Sequence, residues 1–411
     1  MSCGGQQPNR RAQNSPTLAS PHRRRAVSEA GDPPSLPVLP DEVLGDIFLC
    51  LEAANDLARV SSACKSFRRV VCDPQFLRRF RFLHPPPVLG FFGSWESGGF
   101  HHAEPPHRSA SAARAIAQAT DFACSFLPNP GTWKIRDASD GRLLLCSRPA
   151  DTKTAFMDLV VCDPLHRRYV RIPPIPKDLA SSSCLGPLSL LAASGVEEEE
   201  SPLGVICMDK QLGGKVSAFV FSSATGKWRG ITFEGWRGNG GVILTCCRYY
   251  APRSLCWKSE AFSCVFMLDA CKMEFSVVRI RRPLHYRQCA IVEAEEGRLG
   301  LLTLDGCILD LYCKAREDNG VGSEEWKHER TIPLPNSGEY AFGFSGAGEG
   351  YILLEAIPLG FASTLQCRVG LHYFILKLKT FLVERLCVSG RHIDSACLYA
   401  NFLPPLSLPV V

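Results

Sequence analysis

Three histidines, His101, His102 and His107, crowd the stretch GSWESGGFHHAEPPH, and imidazoles this close together are the first candidates for metal chemistry. Neither a CxxC pair nor a carboxylate in ligand geometry accompanies them, so they read as loop histidines, and no metal or other cofactor is expected. GAGEG at Gly346–Gly350 has the glycine spacing of a phosphate cradle, but it precedes a strand pattern rather than a helix. Glu197–Glu200 is an acidic run between two strand candidates and reads as a solvated loop, with a site for a basic partner as the alternative. Arg23, Arg24 and Arg25 followed by Ser28 have the make-up of a targeting signal or kinase site, yet plain solvated tail is the simpler reading. No GxSxG, HExxH or P-loop occurs. The residues that could do chemistry therefore point to a non-catalytic chain.

Composition supports this. The 411 residues, 45% of them hydrophobic and 21% charged, suit two or three globular domains. A net charge of +5 is small for this length and does not suggest a nucleic-acid binder. The 20 cysteines are thinly spread and lie mostly in apolar runs, as in LLLCS around Cys146 and LVVCD around Cys162, where a thiol acts as a small hydrophobe. Cys246 and Cys247 are adjacent and would point to opposite faces of a strand. The first 35 residues contain no apolar core of a secretory signal, so a reducing compartment, cytoplasm and/or nucleus, is expected. The longest apolar stretches, such as LGPLSLLAA from Leu185, are too short to span a bilayer, and no membrane association is expected.

Four segments follow along the chain. Residues 1–35 lack hydrophobic periodicity and read as a disordered tail. Residues 36–84 form a small three-helix module. Val43, Leu44, Ile47, Phe48 and Leu51 make one helical stripe behind Pro40, Asp41 and Glu42. Asn55 or Asp56 can cap a second helix carrying Leu57 and Val60. A third has Ala63, Cys64, Phe67, Val70 and Val71 on one side, with Arg68 and Arg69 on the other, and Asp73-Pro74 stops it. So small a core rarely folds well without a staple or a partner, so the module reads most simply as a docking element, with packing onto the rest of its own chain as the alternative. Residues 85–128 read as an irregular connector with a short helical or extended piece near Ala110 to Phe126.

Residues 129–411 carry short apolar runs bounded by Gly, Pro, Asp or Ser, at 141–147, 157–163, 215–223, 240–247, 263–269 and 371–379, and read as all-β. A repeat is visible in which a strand and a polar turn lead to a bulky residue opening the next strand. Tyr169, Trp228, Phe275 and Trp326 hold that place at intervals of about 50 residues, the period of propeller blades, with a degenerate fifth copy in HYFILKLKTFLVERLCV. DGRLLL at 140, EGRLGLL at 296 and EGYILLE at 349 look like turns into inner blade strands. The fold class expected is α+β and multidomain: a helical module, then a β-propeller of six blades, five to seven being open. A pair of β-sandwiches is the structural competitor.

Residues 39–76, LPDEVLGDIFLCLEAANDLARVSSACKSFRRVVCDPQF, resemble the F-box motif. Leu39, Pro40, Asp41, Glu42, Leu44, Ile47, Leu51, Leu57, Val60, Ser61, Cys64, Phe67 and Phe76 fall in register with it. Phe67 stands where the family more often has Trp, and Ala63 where Val is common. DGRLLLCS followed by LVVCDPLHRRYVRIPPIP is similar to the F-box-associated, kelch-like region of plant F-box proteins, and RFLHPPPVLGFF to their grass type. The resemblance implies the substrate-recognition subunit of a Skp-cullin-F-box ubiquitin ligase. Its module would bind a Skp-type adaptor, and through it a cullin, by Leu39, Pro40, Val43, Leu44, Ile47, Leu51, Leu57, Val60, Ser61, Cys64, Phe67 and Phe76. Its β region would hold a target protein through residues the sequence does not reveal. An F-box scaffold without a ubiquitination role, and a propeller enzyme or carbohydrate binder with an unrelated helical prefix, are the alternatives.

Overall fold

The computed structural model describes residues 39–51, 54–84, 86–93, 99–147, 157–176, 178–179, 185–191, 204–210, 216–233, 244–251, 254–259, 264–269, 272–280, 288–314, 325–336, 338–348, 350–359, 370–393 and 395–401. The tail with Arg23, Arg24, Arg25 and Ser28, and the acidic run Glu197–Glu200, lie outside them. The chain divides into two compact units, Met1–Pro40 and Asp41–Val411. Of the first, only Leu39 and Pro40 are described.

The second unit opens with four helices rather than the three expected: α1 (Asp41–Leu49), α2 (Ala54–Ala63), α3 (Lys65–Val71) and α4 (Pro74–Leu83). Asp73-Pro74 does more than stop α3. The Asp73 carboxylate accepts the N–H groups of Gln75 (2.7 Å) and Phe76 (3.0 Å), and Pro74 takes a first-turn position that needs no donor. The sequence that ends one helix therefore starts the next. Asn55 and Asp56 lie inside the first turn of α2 rather than capping it.

About half of the described part of the expected connector is regular structure. It supplies β1 (Val88–Gly93), β2 (Phe100–His102) and α5 (Ala110–Ala119), and it is part of the β region. Its histidines are structural: His101 stacks on Phe91 at 4.9 Å, and His107 is buried with Nδ1 accepting the Ser109 N–H at 3.2 Å.

Four antiparallel meanders of four strands follow. The first is β3 (Lys134–Ser139), β4 (Arg142–Ser147), β5 (Asp158–Asp163) and β6 (Arg168–Ile172). The second is β7 (Leu185–Leu191), β8 (Gly204–Lys210), β9 (Val216–Ser222) and β10 (Lys227–Phe233). The third is β11 (Leu244–Ala251), β12 (Ser254–Ser259), β13 (Cys264–Asp269) and β14 (Glu274–Arg279), and it holds Cys246 and Cys247 within β11. The fourth is β15 (Gln288–Glu293), β16 (Leu299–Asp305), β17 (Ile308–Lys314) and β18 (Trp326–Ile332). A fifth meander, β19 (Tyr340–Gly348), β20 (Tyr351–Pro358), β21 (Leu371–Lys377) and β22 (Leu382–Ser389), belongs to a seven-stranded sheet. In that sheet β23 (Ala396–Ala400) runs parallel to β19 over two residue pairs and antiparallel to β1, with β2 beyond.

The innermost strands neighbour one another in closed succession, β3, β7, β11, β15, β19, β23 and back to β3, with β11 also against β19. The apolar cores lie between successive sheets, the first with the second, the second with the third, and the third through fifth. A further core joins the fifth meander, β1, α5 and β23 to the first. Sheets covered on both faces explain why β4 and β5 read as unbroken apolar runs instead of alternating ones. Face-to-face packing of twisted meanders around a ring of inner strands is the propeller arrangement.

The repeated bulky residue has a definite place. Tyr169, Trp228, Phe275 and Trp326 each open the outermost strand of a sheet, and each reaches back to what precedes that sheet. The Trp228 indole donates to Pro173 O at 2.8 Å and that of Trp326 to Arg279 O at 3.3 Å. Phe275 packs on Phe233, and Tyr169 on Phe126. The degenerate fifth copy keeps the device by other means, with the Arg330 guanidinium 4.4 Å over the Phe381 ring. The glycine landmarks need correction. Gly141, Gly297 and Gly350 have φ of +76°, +70° and +73° and lead into β4, β16 and β20, the second strand of each meander, not the innermost. GAGEG likewise lies across the β19–β20 hairpin and makes no helix terminus.

Candidate functional site

The helical module closes its own core. Leu44, Phe48 and Leu49 of α1, Leu57 of α2, Val70 and Val71 of α3, and Phe76, Leu77 and Phe80 of α4 are buried together. Each fully buried side chain of this size contributes about 1.5–3 kcal/mol relative to exposure. Gly45 is buried on α1, where an added Cβ would sit at ordinary contact distance from Phe76 and Val70. Phe67 packs edge-on to Phe48 at 5.1 Å. The end of α4 is tied to the end of α1 by His84, whose Nε2 lies 2.7 Å from Leu49 O.

Charge pairs register the helices from outside. The Arg69 guanidinium grips the Asp41 carboxylate with both Nε (3.0 Å) and a terminal nitrogen (2.9 Å), and Asp41 raises the pKa of that guanidinium by hydrogen bonding and by its charge. Arg79 reaches Asp46 at 3.5 Å. These pairs are exposed, so they orient helices more than they stabilise them. Cys64 stands at the start of α3 with an exposed thiol, its pKa lowered first by the Ser66 hydroxyl and then by the Phe67 N–H.

The twelve residues expected at an adaptor interface are thus divided by the structure. Leu44, Leu57 and Phe76 belong to the interior of the module. Leu51, Val60, Ser61 and Phe67 are half-buried at its rim. Leu39, Pro40, Val43, Ile47 and Cys64 are exposed. Val43 (43% exposed) and Ile47 (49%) stand one helical turn apart on α1, so they form one apolar ridge. Sequence reasoning passed over Leu83, which is 45% exposed at the end of α4. A stripe ending beside the HPPP breaker was the only signal it gave.

Among the described residues no group of His, Cys, Asp and Glu is fit to hold a metal ion. In the β region two polar groups on inner strands serve the fold. The Asp137 carboxylate of β3 accepts the Leu190 N–H of β7 at 2.5 Å, and burial pushes its pKa well up. The Ser345 hydroxyl of β19 donates to Ile393 O at 2.8 Å. What the helical module can do chemically is present a greasy ridge to another polypeptide.

Comparison with solved structures returns remote likeness. A 6-phosphogluconolactonase-like protein from Bacteroides uniformis is 14% identical with a TM-score of 0.33, over 65% of this chain and 73% of that one. The Cps50 (Swd1) β-propeller domain of Myceliophteria thermophila is 11% identical with a TM-score of 0.32, over 62% and 73%. The β-propeller domain of the Trilobed protease from Pyrococcus furiosus is 8% identical with a TM-score of 0.30, over 62% and 79%. Scores this low add nothing to the strand order itself. No curated protein matches the chain. Residues 36–83 do match a family, the F-box-like one, and this interval contains all four helices of the module. The chain carries an F-box-like domain ahead of a propeller-type β region.

Proposed function

We propose that this chain is the non-catalytic substrate-recognition subunit of a Skp-cullin-F-box ubiquitin ligase, with a six-bladed propeller as its target-binding part. One observation carries the reading: in an F-box-like module whose core is already complete, Val43 and Ile47 remain as an uncovered apolar ridge. Apolar residues paired along one helix face are what a partner groove accepts. The Skp-type adaptor is that partner, and a cullin follows through it. The chain then acts by effective concentration, holding a target beside a ubiquitin-charged enzyme without making or breaking a bond itself. The count of six rests on the six inner strands, with β23, β1 and β2 as the closing blade. Action in cytoplasm or nucleus and a plant, grass-type kinship of the β region belong to the same proposal.

Calorimetric titration of the full chain with a Skp-type adaptor tests it. Ile47→Asp should weaken binding by about thirtyfold, a central-contact loss of about 2 kcal/mol, and leave the unfolding midpoint unchanged. Leu44→Asp should instead unfold the module, because it buries an unpaired carboxylate. Wild-type affinity in the Ile47→Asp protein would overturn the docking assignment. Target abundance unchanged by loss of the chain, with and without proteasome inhibition, would overturn the ubiquitination role.

A further inference from the structure

The outermost strand β6 differs from its counterparts. Arg168, Tyr169, Val170 and Arg171 are exposed in succession, whereas none of β10, β14, β18 and β22 shows four consecutive exposed residues. Tyr169 and Val170 are each 40% exposed. The strand pairs with β5 along one side only and forms the edge of its sheet. The equivalent edge at β22 is covered, since Glu104 N–H donates to Leu386 O and the Glu104 carboxylate takes the Val388 N–H.

Charge singles out the same place. Arg167, Arg168 and Arg171 are exposed, and among the described residues none of their side chains makes a hydrogen bond or ion pair. The nearest acid in sequence, Asp163, cannot answer them. It is buried and already holds the N–H groups of Leu165 and His166 and the His166 ring. Uncompensated arginines on an edge repel a second copy of the same strand, because like charges opposite one another destabilise pairing. The edge therefore excludes its own kind and favours a strand bearing acids.

We propose that β6 receives an extended acidic segment of a partner protein as an added fifth strand. Register makes the segment's pattern specific. Arg168 and Val170 face one side of the sheet, Tyr169 and Arg171 the other. A strand laid alongside places one residue opposite each of the four. The complementary order is acid, apolar, apolar, acid, and it reads the same for a parallel or an antiparallel strand. Main-chain bonds give the affinity and the two arginines the selectivity. A nucleic-acid backbone fits less well, because the arginines project from opposite faces with apolar side chains between them.

The full chain is titrated into a fluorescein-labelled synthetic peptide, Ser-Gly-Glu-Val-Val-Glu-Gly-Ser, and anisotropy is read at low salt. The isomer with Val-Glu-Glu-Val at its centre should bind at least about fivefold more weakly, since it sets acids against Tyr169 and Val170. Replacing Arg168→Glu together with Arg171→Glu should cost the acidic peptide at least about tenfold and confer binding of a Lys-Val-Val-Lys peptide. Both positions are exposed, so circular dichroism melts of the variant should match wild type. N-methylation along one edge of the peptide should abolish binding when it blocks the paired side. Equal binding of the two isomers, or an unaffected charge-reversed variant, would overturn the proposal. Tighter binding of a single-stranded oligonucleotide to the same arginines would replace a protein partner with a nucleic acid and equally overturn it.

Discussion

At Cys256 and Cys387 burial holds the thiol protonated, pushing each pKa from 9.0 up to about 12. Both folded values lie above the ordinary one, so the protonated form is the one the fold favours. Below pH 9 the two states are equally protonated and the contribution is complete. From pH 9 to about 12 the unfolded chain loses protons the folded chain keeps, and stability falls. Urea midpoints taken at pH 8, 9.5 and 10.5 should decline, and Cys256→Ala should make the decline shallower. An identical slope in the variant would show that this thiol is not buried as described. The hydrophobic character of the cysteines was legible from their neighbours, as at Cys146 and Cys162, because a thiol inside an apolar run has no other environment available. The site was less legible. Leu44 and Ile47 have the same chemistry and share one stripe, yet one is 7% exposed and the other 49%. A helix stripe wider than its core contact holds both kinds, and only packing against α3 and α4 separates them.

Among elements, α4 shows how a local signal can carry two meanings. Proline after aspartate reads as a stop from the left and as a cap from the right, and here both hold. Asp73→Ala removes the acceptor from Gln75 and Phe76, at a cost of about 1 kcal/mol. Hydrogen exchange should show faster opening at Phe76 and Leu77, with the strands unaffected, and unchanged protection there would mean the cap does not hold α4. Some strand positions could be read from apolar runs with turn residues at both ends; β4, β5, β9 and β13 all fall within a residue or so of expectation, whereas the run at 240–247 ends short of the end of β11. β1 escaped for a physical reason. VLGFFG looks like loop because of Gly90, but a Cβ there would collide with His101 O and the Phe100 ring. The glycine marks two strands pressed together, not a break between them.

In the molecule as a whole, the last strand seals the ring against the first. β23 lies between β1 and β19, and its far end is clasped by the β3–β4 turn of the first sheet. Gly141 N–H donates to Ala400 O at 3.1 Å, and the Tyr399 hydroxyl donates to Gly141 O at 3.4 Å. No periodicity in the sequence could reveal this, because a repeat of about 50 residues says nothing about which distant segments complete one sheet. The clasp is tight enough to test. A Cβ on Gly141 would fall 2.5 Å from the Asn401 Nδ2, and the residue also sits at a φ of +76°. Gly141→Ala therefore carries two penalties, one local and one across the closure. The left-handed backbone alone costs about 1–2 kcal/mol, and the collision adds to it. In an Asn401→Gly background the second penalty vanishes and the first remains. A double-mutant cycle on urea unfolding should then give a coupling of about 1 kcal/mol or more, with hydrogen exchange quickening at β1 and β23 in the Gly141→Ala protein. Strict additivity of the two changes would mean that the Asn401 side chain gives way to the new methyl at no cost, so that it is not packed tightly against the β3–β4 turn.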